Sequence, residues 1–294
     1  MKPAPFVWYS PRTVAEAVAT LATADADGSG VKVLAGGQSL IPVLAMRLAE
    51  PGHLVDINNV AGLDRIEVSA DGVRIGALVR HAQLLAHAEA NRVQPLLGQA
   101  LANVAHATIR NRGTTVGSLA HADPSGEMTA VLALTGGSVT AASVRGQREI
   151  PAAEFFVGPL ESRLEHDELA VSAFFPAAPA GSGSAFVEMA RRHGDYALAG
   201  VGAVVVPGAG GAPPTVRCGF LSVTETPLVA DLSDAWAAFV GGDEGAVAAA
   251  VAAAIDPQDD IHATAEYRRH ITGVLAVRAI RDAESHAGLK ERAA

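Results

Sequence analysis

The chain has 294 residues, 49% of them hydrophobic and 18% charged, with a formal net charge of −9. Such a chain is globular, builds one large core or two moderate ones, and carries too little positive charge for a nucleic-acid partner. Its single cysteine, Cys218, excludes an internal disulfide and an iron–sulfur cluster of its own; a small packed residue is the expectation there.

In chain order, 13–24 reads as a helix and 31–34 as a strand. The loop Ala35, Gly36, Gly37, Gln38, Ser39 follows, then a short helix and a strand at 54–57, giving a small α/β unit over about 1–60. From 61 to 176 the sequence predicts strands at 66–68 and 73–75 across the turn Ala70-Asp71-Gly72, a helix at 81–90, a helix before a second glycine-containing loop, and strands near 138–142. The run at 176–184 is rich in proline, glycine and serine and is the expected linker. Beyond it lie β-like runs at 186–190, 200–206 and 215–223, with 207–214 as a hairpin loop. An alanine-rich helix at 246–254 and a helix with apolar residues at helical spacing over 265–283 complete the chain.

The two loops carry the chemistry. Gly36 and Gly37 sit between a short β-type run and a mostly apolar segment, where glycine frees the backbone to turn its N–H groups onto one point. Ser39 adds a hydroxyl donor or a cap for the next helical turn. No Lys or Arg occurs between Val33 and Met46, so an anion here would meet amides. By itself this loop is also what a plain strand-to-helix turn looks like. The second loop, with Gly113, Thr114, Thr115, Gly117 and Ser118, again combines small residues with hydroxyls. Asp123 and Glu127 follow it as partners for ribose or ring N–H donors. Neither loop has the Rossmann or P-loop pattern, no metal-ligand spacing occurs among the ten histidines, and no nucleophile elbow is present. No side-chain catalyst and no metal site is therefore expected, and the start of the chain lacks a secretory pattern, which makes a cytoplasmic location the default expectation.

Together these loops and five further stretches resemble the flavoprotein, or medium, subunit of the molybdenum hydroxylases, the family of carbon monoxide dehydrogenase and xanthine dehydrogenase. The stretches are an FxYxxPxTxxEA-like run at 6–17, VDINNVAGLDRI at 55–66, FFVGPLESRLEHDEL at 155–169, FVEMARRHGDYALAGVGAVV at 186–205 and AEYRRHITGVLAVRAI at 265–280. The resemblance implies an α+β fold: a bipartite FAD-binding domain of the vanillyl-alcohol-oxidase (PCMH) type over 1–176, with subdomains of about 1–60 and 61–176, and a C-terminal sheet-and-helix domain over 185–290. It further implies FAD as cofactor, with Ala35, Gly36, Gly37, Gln38 and Ser39 as the first pyrophosphate loop and Leu40 and Ile41 beside the flavin. Thr114, Thr115, Val116, Gly117 and Ser118 match the second loop, Asp123 and Glu127 the adenosine side, and Tyr196 a position beside the isoalloxazine ring.

Two positions depart from the family pattern. Val116 replaces a glycine, which would strain the backbone if positive φ were needed there, and Glu127 stands where aspartate is usual. The implied activity is electron transfer from iron–sulfur clusters of a small subunit through FAD to an external acceptor, with a molybdenum cofactor-binding large subunit oxidising the substrate, in a heterohexamer of two heterotrimers. A self-sufficient FAD-dependent oxidoreductase of the same fold and a flavin-free binding module are the alternatives.

Overall fold

Three short strands open the chain, and their parallel pairing places the first loop at a sheet edge. In the computed structural model, which describes residues 2–289 except Asp25 and Asp27, β1 (Val7–Tyr9), β2 (Val31–Leu34) and β3 (His53–Asp56) form a parallel sheet of order β1-β3-β2. Met1 and Lys290, the outer ends of the two expected domains, lie outside the described residues. The helix Val14–Ala24 connects β1 to β2 and buries Ala17, Val18, Leu21 and Ala24, an i, i+3/i+4 stripe.

The next unit is an antiparallel sheet of β4 (Ile66–Val68), β5 (Gly72–Gly76), β6 (Ser138–Ser143), β7 (Gly146–Pro151) and β10 (Leu169–Pro176), in the order β4-β5-β10-β6-β7. A small hairpin of β8 (Phe156–Gly158) and β9 (Glu161–Ser162) precedes β10. Alternate residues of the central strand point inward, with Ala173 and Phe175 fully buried. Ala17, Val18 and Leu21 share one core with Val139, Ala141 and Phe175, so the first α/β unit is packed onto this sheet.

The helix expected at 81–90 is two helices, His81–Leu85 and Ala88–Val93. His87 breaks it: its Nδ1 accepts from the Ala90 amide at 3.2 Å, and a side chain that caps a new helix ends the old one. The two histidines therefore do not share a helix, and only His81 is buried.

After a connection at 177–182, shorter than the expected linker, come β11 (Gly183–Ala190), β12 (Ala197–Val206), β13 (Thr215–Leu221) and β14 (Leu228–Asp231) as an antiparallel meander. The segment at 207–214 closes the β12–β13 hairpin. One face of this sheet meets the helix Glu127–Thr135, close enough that a Cβ on Gly202 or Gly219 would lie 3.1 or 3.0 Å from Leu134. The other face packs Val201, Ala203, Cys218 and Phe220 against Val247 and Val251 of the helix Ala246–Ala254 and Leu275, Ala276 and Ala279 of Ala265–His286. Cys218 is fully buried and burial pushes its thiol up, so it is a packing residue. No helix among the described residues is long and apolar enough to cross a membrane.

Candidate cofactor site

The two glycine-containing loops, distant in sequence, lie in direct contact. A Cβ on Gly36 would stand 2.5 Å from the Arg112 carbonyl oxygen, 2.7 Å from Gly113 Cα and 2.9 Å from the Thr114 nitrogen. Only glycine permits that approach. Gly37 turns the chain at φ 74°, and the Gln38 Nε2 donates to the Gly36 carbonyl at 3.2 Å. Across the junction, the Ala35 methyl lies 3.6 Å from where a Gly117 Cβ would be.

Both loops present amides that the described residues leave unused. Among the described residues the N–H groups of Gly37, Gln38, Ser39 and Leu40 have no acceptor, whereas those of Ile41 and Val43 donate to Gly37 and Ser39. Ser39 precedes the helix Leu40–Ala45 but makes no side-chain cap, so its hydroxyl is a donor and not a cap. In the second loop Thr114 caps the helix Thr115–His121 by accepting from the Gly117 amide at 3.2 Å, and the Thr115 amide donates to Val79. Among the described residues the Val116 amide between them has no acceptor.

Val116 is helical, is absent from the positive-φ residues, and is 1% exposed. Its side chain joins the core, so the strain that a left-handed conformation would impose does not arise. Leu40 packs with the small cluster of Leu34, Leu44 and Leu54, and Ile41 is 43% exposed beside the loop.

Asp56, Asn58 and Arg80, none of them among the expected site residues, hold the loops together. Asn58 Nδ2 donates to the Ala35 carbonyl at 2.8 Å and to Asp56 Oδ1 at 2.6 Å; its own Oδ1 accepts from Arg80 at 2.7 Å. A second Arg80 nitrogen donates to the Arg112 carbonyl at 2.5 Å. Partial burial and the neighbouring Arg112 lower the Arg80 pKa, and Asp56 opposes that shift. Beneath the second loop, the His81 amide donates to Gly113 at 3.0 Å and Nδ1 lies 3.1 Å from the Thr115 hydroxyl. Burial first, and Arg110 second, push His81 down to about 4, so it is neutral at neutral pH. The sequence signal was present in VDINNV for Asp56 and Asn58; for Arg80 there was none.

The helix Thr115–His121, about 10 Å long at 1.5 Å per residue, leads from the amide-rich end to an acidic one. Ala122 ends it in the left-handed conformation at φ 53°. Asp123 Oδ1 accepts from the Ser125 amide at 2.8 Å, and Glu127 starts the next helix. Burial raises Glu127 to about 8, with Glu188 and Asp123 adding to the rise and a hydrogen bond from its own backbone amide opposing it. Glu188 on β11 is pushed up to about 7 by burial, and its Oε2 is buried without a hydrogen-bond partner. Tyr196 is 68% exposed as a residue, and its hydroxyl is pushed up by partial burial and by Asp123 and Glu127 beside it. Ser222, at φ 64°, donates its amide to the Pro124 carbonyl at 2.9 Å and keeps a buried, unpartnered hydroxyl.

The structure thus gathers Ala35 to Ile41 with Thr114 to Ser118 at one end, and Asp123, Glu127 and Tyr196 at the other. Among the described residues no group of three or more His, Cys, Asp or Glu could hold a metal ion.

Comparison with known proteins bears on what this arrangement serves. Residues 4–178 match the FAD binding domain in molybdopterin dehydrogenase, and residues 184–283 match the CO dehydrogenase flavoprotein C-terminal domain. The chain is 40% identical to the nicotine 6-hydroxylase medium subunit of Paenarthrobacter nicotinovorans over 94% of its own length and 96% of that protein. It is 37% identical to the 6-hydroxypseudooxynicotine dehydrogenase complex subunit alpha of the same organism, over 95% of each. Among solved structures, a carbon monoxide dehydrogenase from Hydrogenophaga pseudoflava superposes with a TM-score of 0.88 at 33% identity, over 97% of this chain and 99% of that one. With FAD as its cofactor, this oxidoreductase chain belongs to the medium subunits of the molybdenum hydroxylases, the family of carbon monoxide dehydrogenase and xanthine dehydrogenase.

Proposed function

We propose that this chain is the electron-transferring member of a molybdenum hydroxylase complex, holding FAD between the iron–sulfur clusters of a partner subunit and an external acceptor. The observation that carries the site assignment is the contact of Gly36 with Gly113 and Thr114, which joins two sets of unused amides into one cradle. A pyrophosphate fits such donors, because amides fixed by surrounding bonds stabilise charge without a lysine to desolvate. At the acidic end Asp123, Glu127, Glu188 and the Ser222 hydroxyl are the acceptors that hydroxyl and ring N–H groups of a dinucleotide need.

When bound, FAD supplies the capacity to accept and release one or two electrons. The residues of this chain bind and orient it: Ala35 to Ser39 and Thr114 to Ser118 take the pyrophosphate, Ile41 flanks the ring from the first loop, and Asp123 and Glu127 take the adenosine side, with the Tyr196 hydroxyl standing beside them rather than beside Ile41. In the complete assembly a molybdenum cofactor-binding large subunit and a 2Fe–2S small subunit join this chain as two heterotrimers, in the cytoplasm. The chain alone catalyses only the flavin half-reaction.

The test is the visible spectrum of the full chain and of Gly36→Val. Wild type is expected to carry flavin bands that substrate bleaches only when the partner subunits are added, and the variant to lose FAD by more than about 100-fold in affinity, as a side chain drives the loops apart. Full flavin loading of Gly36→Val overturns the cradle, and turnover of substrate by the isolated chain overturns the electron-transfer role.

A further inference from the structure

Among the described residues Arg80 is the one charged side chain that bonds to both halves of the junction, directly to the second loop and through Asn58 to the first. Its guanidinium donates to the Arg112 carbonyl at 2.5 Å and to Asn58 Oδ1 at 2.7 Å, and Asn58 passes the connection to Ala35 at 2.8 Å. The Arg112 carbonyl is also the atom nearest a Cβ on Gly36, so the same oxygen marks the contact of the loops and the end of the connection. Arg80 pairs with Thr114 in an isolated antiparallel bridge, which fixes its backbone to the second loop as well. Asp56 lies behind it, accepting from the Asn58 amide at 3.0 Å and from Nδ2 at 2.6 Å, and favours the charged guanidinium electrostatically.

Resting on the reading of this junction as a dinucleotide cradle, we propose that Arg80 and Asn58 form a clasp that sets the spacing of the two loops and thereby the affinity for the pyrophosphate of FAD. The clasp has a physical rationale. Two loops that must each aim free amides at one anion lose binding energy if they move independently, because the ordering is then charged against binding. A planar guanidinium donates in two fixed directions at once and so holds two carbonyl-type acceptors at a set separation; an ammonium on a flexible stem does not. Arg80 is therefore a positioning residue, acting on the cofactor through the loops and distinct from the residues assigned to touch it. It also explains how a first loop without Lys or Arg nearby can sit in a favourable field: the positive charge is delivered from another part of the chain.

Equilibrium titrations of the flavin-free full chain with FAD, ADP and riboflavin separate the clasp from general damage. Arg80→Gln and Arg80→Lys are each expected to weaken FAD and ADP at least tenfold while leaving riboflavin within about twofold, and Asn58→Ala to do the same. The double variant Arg80→Gln/Asn58→Ala is expected to lose little more than either single change, since both break one connection. Wild-type ADP affinity in Arg80→Lys means that charge and not the clasp acts, and it overturns the proposal, as does unchanged ADP affinity in Arg80→Gln. Equal weakening of all three ligands assigns Arg80 to general stability and also overturns it. Should Arg80→Gln fail to fold, Asn58→Ala decides by the same criteria. Full FAD loading of Gly36→Val removes the underlying cradle instead, whatever the Arg80 variants do.

Discussion

The amide-rich end of the site and its acidic end are built on opposite terms. At the loop junction most side chains are satisfied: Thr114 caps, Asn58 bridges, Arg80 clasps, His81 is neutral and bonded, and among the described residues backbone amides and the Ser39 hydroxyl are left over. At the acidic end Glu188 and Ser222 keep buried oxygens without partners, and burial raises both Glu127 and Glu188, so that Glu127 is mostly protonated at neutral pH and Glu188 titrates there. The first end is shaped before a ligand arrives; the second leaves acceptors and carboxyls that respond to one. Steric changes should therefore dominate at the first and pH at the second.

After Gly36→Val and the Arg80 variants, the largest effect in this contrast belongs to Gly113→Ala. The added methyl would stand 2.9 Å from His81 Cδ2 and 3.2 Å from the Ile109 carbonyl, so the imidazole must yield and its contact with Thr115 with it. We expect a stability loss of about 1–3 kcal/mol and FAD affinity lower by about tenfold, both without pH dependence between 6 and 9. Thermal unfolding and flavin fluorescence measure the two; an unchanged affinity would show that the second loop tolerates displacement.

A smaller effect is expected at the acidic end. Folded Glu127 and Glu188 ionise near 8 and 7 against an ordinary 4.5, so the folded chain holds their protons more tightly. That contribution to stability is present in full below the ordinary value and is lost as pH rises through 7 and 8. Each deprotonation also adds negative charge beside an anionic cofactor. FAD affinity of the wild type should fall a few-fold from pH 6 to 9 and flatten in Glu127→Gln and Glu188→Gln. A flat wild-type profile would remove these carboxyls from the cofactor's surroundings.

The smallest effect is that of Thr114→Ala, which removes one helix cap worth about 1 kcal/mol. It should lower the melting temperature by a few degrees, with little change in FAD affinity, because the clasp and not the cap holds the junction. A loss as large as that of Arg80→Gln would reverse that ranking.

Much of this architecture was legible in the sequence. Helices with an apolar stripe, such as Val14–Ala24 and Ala265–His286, and the strand at Val31–Leu34 follow from local periodicity, because each pattern matches the burial of one face. Other elements were not. β1 is three residues long with Val7 and Trp8 half exposed, and pairs only because β3 is there to receive it. β10 sits at the centre of its sheet by virtue of partners on either side, β5 and β6. The break at His87 turned on a single side-chain bond competing with a helical one.

By itself the sequence determined the fold class, the family, the FAD cofactor and the two loops as the place to look, since glycine spacing, strand–helix alternation and ordered stretches are local properties. Only the tertiary structure decided that Gly36 touches Gly113, that Val116 faces the core at no backbone strain, and that Asn58 and Arg80 tie the loops together. Those are contacts between distant segments, set by how two sheets and their helices pack, and no local pattern encodes a separation in space.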